Sequence, residues 1–259
     1  MSEDQGVWVY AVAAVIRPAR LAGLTGVSSQ PVRTVTGGGL AAAVSPVSLA
    51  EYGEQPLRQH LEDPDWLERT ARAHHQVIET LAADGRPVIP MRLATIYAGD
   101  GNVTAMLGER CPDFAAALDR VTGRAEWGVK AFAAAPPAGE ETRPAASSGA
   151  EYLKRRRAQL SARDEARQSA ADAAHDLHTA LAELAAAAVL RPPQQPDLAG
   201  QDAAMILNGT YLVEDARSAE FAALARERAG RSAPGFRVEV TGPWPPYSFA
   251  TVDAPGGPE

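Results

Sequence analysis

The chain of 259 residues has almost no sulfur chemistry. A single cysteine, Cys111, rules out an intrachain disulfide, and a reducing, cytosolic compartment is the expectation. It also lacks a long hydrophobic run: the most apolar stretch, Val7 to Ile16, is far short of the ~20 residues a membrane helix needs. The first residues, Met-Ser-Glu-Asp-Gln-Gly, are acidic where a secretory signal is basic. Aromatic residues make up 6% against 46% hydrophobic, so the expected core is helix-rich and built from small side chains. Lysine is nearly absent, with only Lys130 and Lys154 among 25 basic residues, which together with the alanine excess reads as the bias of a GC-rich genome. The net charge of −7 argues against a nucleic-acid footprint. Neither half forms a charged tail: residues 1–133 carry 12 basic and 15 acidic groups, the remainder 13 and 17.

What is present reads as a mixed α/β chain. Val7 to Ile16 is β-rich and apolar on both faces, the pattern of a central strand. Val32–Thr36 and Leu40–Val44 flank Gly37-Gly38-Gly39 and predict a hairpin. A phosphate-cradling role for those glycines needs a following helix start with Lys or Ser/Thr, which is missing. The next helix is capped by Asp63 with Pro64 at its first position, stops near Gly85 and Pro87, and has the stripe Leu67, Ala71, His74, Ile78, Leu81. Val88–Leu93 reads as a strand that Ile96-Tyr97 can continue. Val103, Leu107, Phe114, Leu118 and Val121 share a helical face, and Pro112 predicts a kink or two short helices.

Trp127–Phe132 predicts a further strand, and the Ala/Pro/Gly/Ser-rich stretch 133–149 is the linker candidate. A long helix follows over about 150–190, with Leu153, Leu160, Leu177, Leu181 and Leu184, ended by Arg191-Pro192-Pro193. Ala203–Val213 is one strand, or a hairpin if Asn208-Gly209 turns. Ser218–Ala229 reads as a helix and Phe236–Thr241 as a closing strand. From Trp127 onward the order is βαββαβ, ferredoxin-like, if Asn208-Gly209 is a turn, and a modified version of it if not.

Few residues suggest chemistry. His74 and His75 point about 100° apart on a helix and cannot form a ligand pair, and His74 reads as a hydrogen-bonded core or interface residue. His175, His178 and Asp172 share a face in a spacing that metals accept, but no fourth ligand is suggested. Cys111 has no local partner for a nucleophile's role. The run Lys154-Arg155-Arg156-Arg157 is soon followed by Asp164 and Glu165, the signature of a solvated helix face, with partner docking second. No catalytic, cofactor-binding or metal-binding residue is assigned. The segment Gly242-Pro243-Trp244-Pro245-Pro246-Tyr247-Ser248-Phe249 stands apart. Its prolines cannot continue a central strand and stiffen an extended path, and its aromatics either cover a core edge or present anchors to a partner.

That segment, the strand Glu126-Trp127-Gly128-Val129-Lys130 and the stretch Pro90-Met91-Arg92-Leu93-Ala94-Thr95 together resemble the GvpL/GvpF family of gas vesicle accessory proteins. The resemblance extends over Val7 to Phe249, with the strand bearing Tyr10 and the one from Met205 to Val213 in matching order. One departure is Leu93-Ala94, where family members usually have Phe-Gly after the arginine. The resemblance implies an α+β protein of two domains: 1–124, and a ferredoxin-like 125–259 carrying the long helix and the C-terminal extension. It further implies a non-catalytic role without cofactors, membrane or nucleic acid, in the cytoplasm and at the gas vesicle. Its partners would be the small hydrophobic shell protein of the GvpA type and other accessory proteins. The residues it singles out as motif or partner contact are Arg92, Thr95, Trp127, Lys130, Gly242, Pro243, Trp244, Pro245, Pro246, Tyr247 and Phe249. The alternatives are a protein-interaction module reassigned from this fold and a metal-dependent enzyme using the histidine-bearing helix face.

Overall fold

The computed structural model describes residues 5–83, 85–134, 149–193, 203–230 and 236–250. The chain forms two compact units, 1–125 together with 244–259, and 126–243. The second unit is therefore an insertion in the first. The last residues, expected with the second domain, group with the first.

In the first unit, β1 (Gln5–Ala13) is followed by α1 (Pro18–Leu21), β2 (Arg33–Gly37), β3 (Leu40–Ser48), α2 (Leu49–Tyr52), α3 (Glu54–His60) and α4 (Pro64–Ala82). Then come β4 (Ile89–Pro90), β5 (Ile96–Tyr97), α5 (Asp100–Glu109) and α6 (Cys111–Val121). The sheet order is β2-β3-β1-β4, with β5 also on β1, and all these pairs are antiparallel. β2 and β3 form the expected hairpin, turning at Gly38-Gly39. β1 is central and buried on both faces, as its unbroken apolar run predicts. Val7 and Val9 enter one core layer with Leu107, Phe114 and Leu118, while Trp8 and Tyr10 enter the other with Trp66, Val77 and Ile78. A register shift between Val9 and Ala11 interrupts the alternation, so Ala11 stays on the face of Tyr10. Each of the larger apolar side chains buried this way contributes roughly 1.5–3 kcal/mol relative to exposure.

Asp63 caps α4 as expected, accepting from the amides of Asp65 and Trp66 at 3.0 and 3.3 Å. The buried stripe is rotated slightly from the expected one: Trp66 and Thr70 are buried, whereas Leu67 and Ala71 are half-buried. Pro112 separates α5 from α6. The expected strand over Val88–Leu93 is corrected to two short ladders, because the chain leaves β1 between Met91 and Thr95. There Ala94 adopts a left-handed φ of 64°.

In the second unit, β6 (Arg124–Ala134), α7 (Gly149–Ala182), β7 (Ala187–Leu190), β8 (Ala203–Glu214), α8 (Ser218–Gly230) and β9 (Phe236–Trp244) give the order βαββαβ among the described residues. The sheet order is β7-β8-β6-β9. Two expectations are corrected here. The helix stops at Ala182, and Ala187–Leu190 is a strand, since pairing with β8 overrides the weak helix propensity of its alanines. Asn208-Gly209 lies mid-strand: Gly209 pairs with Leu190, and a Cβ there would sit 2.7 Å from the Tyr211 hydroxyl. The second strand of the βαββαβ order thus comes from the end of the predicted helix. The core joins Trp127 and Val129 to Leu177, Leu181, Tyr211 and Phe221. Leu153 and Leu160, at 60% and 47% exposure, lie outside it. Most of the linker range 133–149 falls outside the described residues.

Candidate functional site

The residues singled out by sequence fall into two groups, one in each unit. In the first unit, the loop from Met91 to Thr95 is tied to β1 at both ends. The Met91 amide donates to the Tyr10 carbonyl and the Val9 amide to the Thr95 carbonyl, each at 2.9 Å. Thr95 closes the loop on itself, its hydroxyl donating to the Arg92 carbonyl at 2.7 Å. This local bond is what threonine contributes, while the Arg92 side chain is exposed. Ala94 holds the left-handed backbone that glycine takes more easily. Where the family pattern usually has glycine, this chain thus takes a left-handed conformation with an alanine.

Two neighbouring histidines on α4 serve different ends. His74 is buried, accepts a hydrogen bond at Nδ1 from the Trp8 indole (2.9 Å), and so carries its proton on Nε2, which donates to the Met91 carbonyl (3.0 Å). Burial holds its pKa down at about 4, against a smaller opposing effect of the Met91 bond. Next to it the Tyr10 hydroxyl bonds Ser45 at 2.6 Å and accepts from the Val27 amide at 2.8 Å, and burial raises its pKa. His75 faces the C-terminal segment. Its Nε2 donates to the Glu79 carboxylate at 3.1 Å, leaving Nδ1 to accept from the Tyr247 hydroxyl at 2.6 Å. The Tyr247 ring stacks on His75 with centroids 5.6 Å apart, and the Trp244 ring lies 5.8 Å away.

The segment continues into the core. Pro246, Phe249 and Ala250 are buried, and Arg120 on α6 donates to the Phe249 carbonyl at 3.0 Å. Tyr247 belongs to the core layer under α4, with Leu93 and Ala94 beside it, and Ala250 to the layer under α6, with Met91 and Tyr97. Only two residues, Ser248 and Phe249, separate Tyr247 from Ala250, so the segment passes from one core layer to the other. Phe249 is buried, and Tyr247 is half-buried against a core layer. Trp244, at 41% exposure, remains available, and Pro245 is half-buried.

In the second unit, Trp127 is buried against Phe221 and its indole donates to the Ser218 hydroxyl at 3.4 Å. Lys130 is half-buried on the same strand. Gly242 has a φ of 121°, and a Cβ on it would lie 2.9 Å from the Glu126 carbonyl and 3.2 Å from the Trp127 ring. Pro243 then sits in β9, an outer strand of the sheet among the described residues, the kind of strand in which proline is tolerated. β9 runs on to Trp244, three residues beyond the predicted end.

Sequence reading missed Trp8, Ser45, His75 and Arg120. Trp8 and Tyr10 were legible in principle, as two aromatics with polar tips at strand spacing, each needing a buried partner. As to chemistry, His178 is engaged by the Tyr211 hydroxyl at 2.9 Å and Cys111 donates to the Gly38 carbonyl at 3.1 Å. Among the described residues, no three His, Cys, Asp or Glu side chains are grouped to hold a metal ion. No helix among them is long and apolar enough to cross a membrane. What the sites do physically is fix backbone: the loop at 91–95, the C-terminal segment, and the closing strand.

The chain is similar to known proteins over nearly its whole length. The family model described as gas vesicle synthesis protein GvpL/GvpF matches residues 6–251. The chain is 40% identical over 257 residues to gas vesicle protein L of Streptomyces sp. (strain CB03234), covering 97% of this chain and 95% of that protein. Gas vesicle protein F of the same strain is 28% identical over 263 residues, covering 93% of this chain and 98% of that protein. The crystal structure of gas vesicle protein GvpF from Anabaena sp. PCC7120 shares the fold, with a TM-score of 0.70 at 17% identity, covering 98% of this chain and all of that one (100%). The chain belongs to the GvpL/GvpF family of gas vesicle proteins.

Proposed function

We propose that this chain is a non-catalytic accessory or minor structural protein that binds the small hydrophobic shell protein and other accessory proteins while gas vesicles are built. Its process, gas vesicle formation, follows from the family. The observation that carries the finer reading is the end-to-end match over residues 6–251, with the family's C-terminal segment built into the core. A shell subunit with an apolar gas-facing surface aggregates until it is polymerised, so a binder that covers or seeds it meets a physical need. The surfaces offered for contact are the exposed first half of α7, with Leu153, Leu160 and the run Lys154–Arg157, together with Arg92 and Trp244. Within one Streptomyces strain the identity is 40% to protein L and 28% to protein F, which favours a role of the L kind.

The test is deletion of the gene combined with affinity capture of the tagged chain. The expected result is loss of vesicles and recovery of the shell protein. Normal vesicles in the deletion strain, with no shell protein captured, would reject the proposal.

A further inference from the structure

Beyond the end of β1 the chain passes through Val15 and Ile16 into α1. There it meets the C-terminal end of α4 and the turn at 86–88 around a pocket of about 290 Å³, partly open to solvent. The floor of the pocket is apolar, since Ala13, Ile16, Leu81 and Val88 are all buried. Its rim carries Arg17, Arg20 and Arg86, and none of the residues that line it is acidic. On a chain of net charge −7 this is a local reversal of sign. Arg20 has an interaction of its own. The Arg17 and Arg86 guanidinium groups make no hydrogen bond or ion pair among the described residues, although Arg86 is half-buried. Arg86 is therefore not spent on the last carbonyls of α4, and the donors of both arginines are left to water or to a ligand.

Guanidinium groups over an apolar floor select a particular chemistry. A carboxylate accepts their paired N–H donors, and an aliphatic group beside it covers the floor. A bare anion leaves the floor unused, and an apolar group alone leaves the arginines unpaired. The volume lies at the lower limit of the ~300–1,000 Å³ of sites that engulf a small molecule, so the pocket suits the tip of a larger partner. We propose that it is a docking site for a protein partner, taking an acidic side chain of that partner on Arg17 and Arg86 and a neighbouring aliphatic side chain on the floor. That the ligand is carried by a protein rests on the accessory-protein reading above, whereas the chemistry of the pocket does not.

Calorimetric titration of the full chain with a blocked tripeptide, glutamate between two leucines, tests this. The same tripeptide with glutamine, and inorganic phosphate, are the comparisons. The expected result is saturable binding of the glutamate peptide, at least about tenfold stronger than either comparison and weakening as salt is raised. Arg86→Gln should weaken it about tenfold and the more exposed Arg17→Gln about threefold, with unchanged circular dichroism. Arg17→Gln, at the surface, is the variant that decides if Arg86→Gln misfolds. A glutamate peptide that does not bind overturns the proposal. So does equal binding of the glutamine peptide, equal binding of phosphate as a free small anion, or binding that the arginine variants leave intact. Capture of the shell protein by the tagged chain is read separately, so failure of the pocket and failure of the accessory-protein reading are told apart.

Discussion

The two units solve the same problem, closing a sheet against solvent, with different stretches of chain. The second closes locally: β6 through β9 follow one another, and the glycine at 242 lets the last strand lie against the Glu126 carbonyl and the Trp127 ring near the first. The first does not close until the chain returns from the second. Its pairing with β1 is interrupted at Met91–Thr95, and residues 244–250 come back to pack on its two core layers, against His75 of α4 and Arg120 of α6. Contiguity in sequence is thus a poor guide to the domain boundary here. A sheet that needs more than a hundred further residues to be translated before its core layers are complete exposes apolar surface in the meantime.

That contrast can be broken or sharpened by substitution, reading each unit separately by hydrogen exchange. The largest expected effect is Phe249→Ala, which empties a buried aromatic site and should cost the first unit about 3–4 kcal/mol while leaving 126–243 unchanged. Acid should act nearly as strongly, and on the same unit. The pKa of His74 is about 4 in the fold against 6.5 unfolded. Its contribution is therefore fully present above 6.5 and is lost as pH falls from 6.5 toward 4, on the order of 3 kcal/mol in all. His74→Gln, which keeps an acceptor for Trp8 and a donor for Met91, should flatten that part of the pH profile. Gly242→Ala reverses the target. It forces a left-handed backbone and a Cβ into the Glu126 carbonyl, costing the second unit about 2 kcal/mol. The smallest effect is a gain: Ala94→Gly relieves a left-handed alanine, and after the added unfolded-chain entropy should stabilise the first unit by about 0.5 kcal/mol, seen as a small rise in its melting temperature.

Much of this was legible in the sequence, for local reasons. Asp63-Pro64 announced the start of α4, Pro112 the break between α5 and α6, and the glycines the β2–β3 turn, because caps and turns are decided by neighbours along the chain. The failures are non-local. Ala187–Leu190 has alanines that suit a helix and becomes a strand only because β8 is there to pair with it. Asn208-Gly209 has turn chemistry, yet Gly209 is needed where the Tyr211 ring folds over the strand. At the candidate sites the motif residues were found but not their partners. Tyr247 was visible as an aromatic among prolines, whereas nothing local to it named His75, 172 residues away. Arg120, which holds the Phe249 carbonyl, was equally silent, since a backbone acceptor leaves no mark in the sequence.

The central claim is that the C-terminal segment completes the first unit rather than the second. Hydrogen exchange followed by mass spectrometry on the chain truncated after Pro243 tests this most directly. The account predicts that protection collapses across β1, α4 and α6 while β6, β8 and α8 stay protected. Unchanged protection in β1, α4 and α6, or loss confined to residues 126–243, would contradict it.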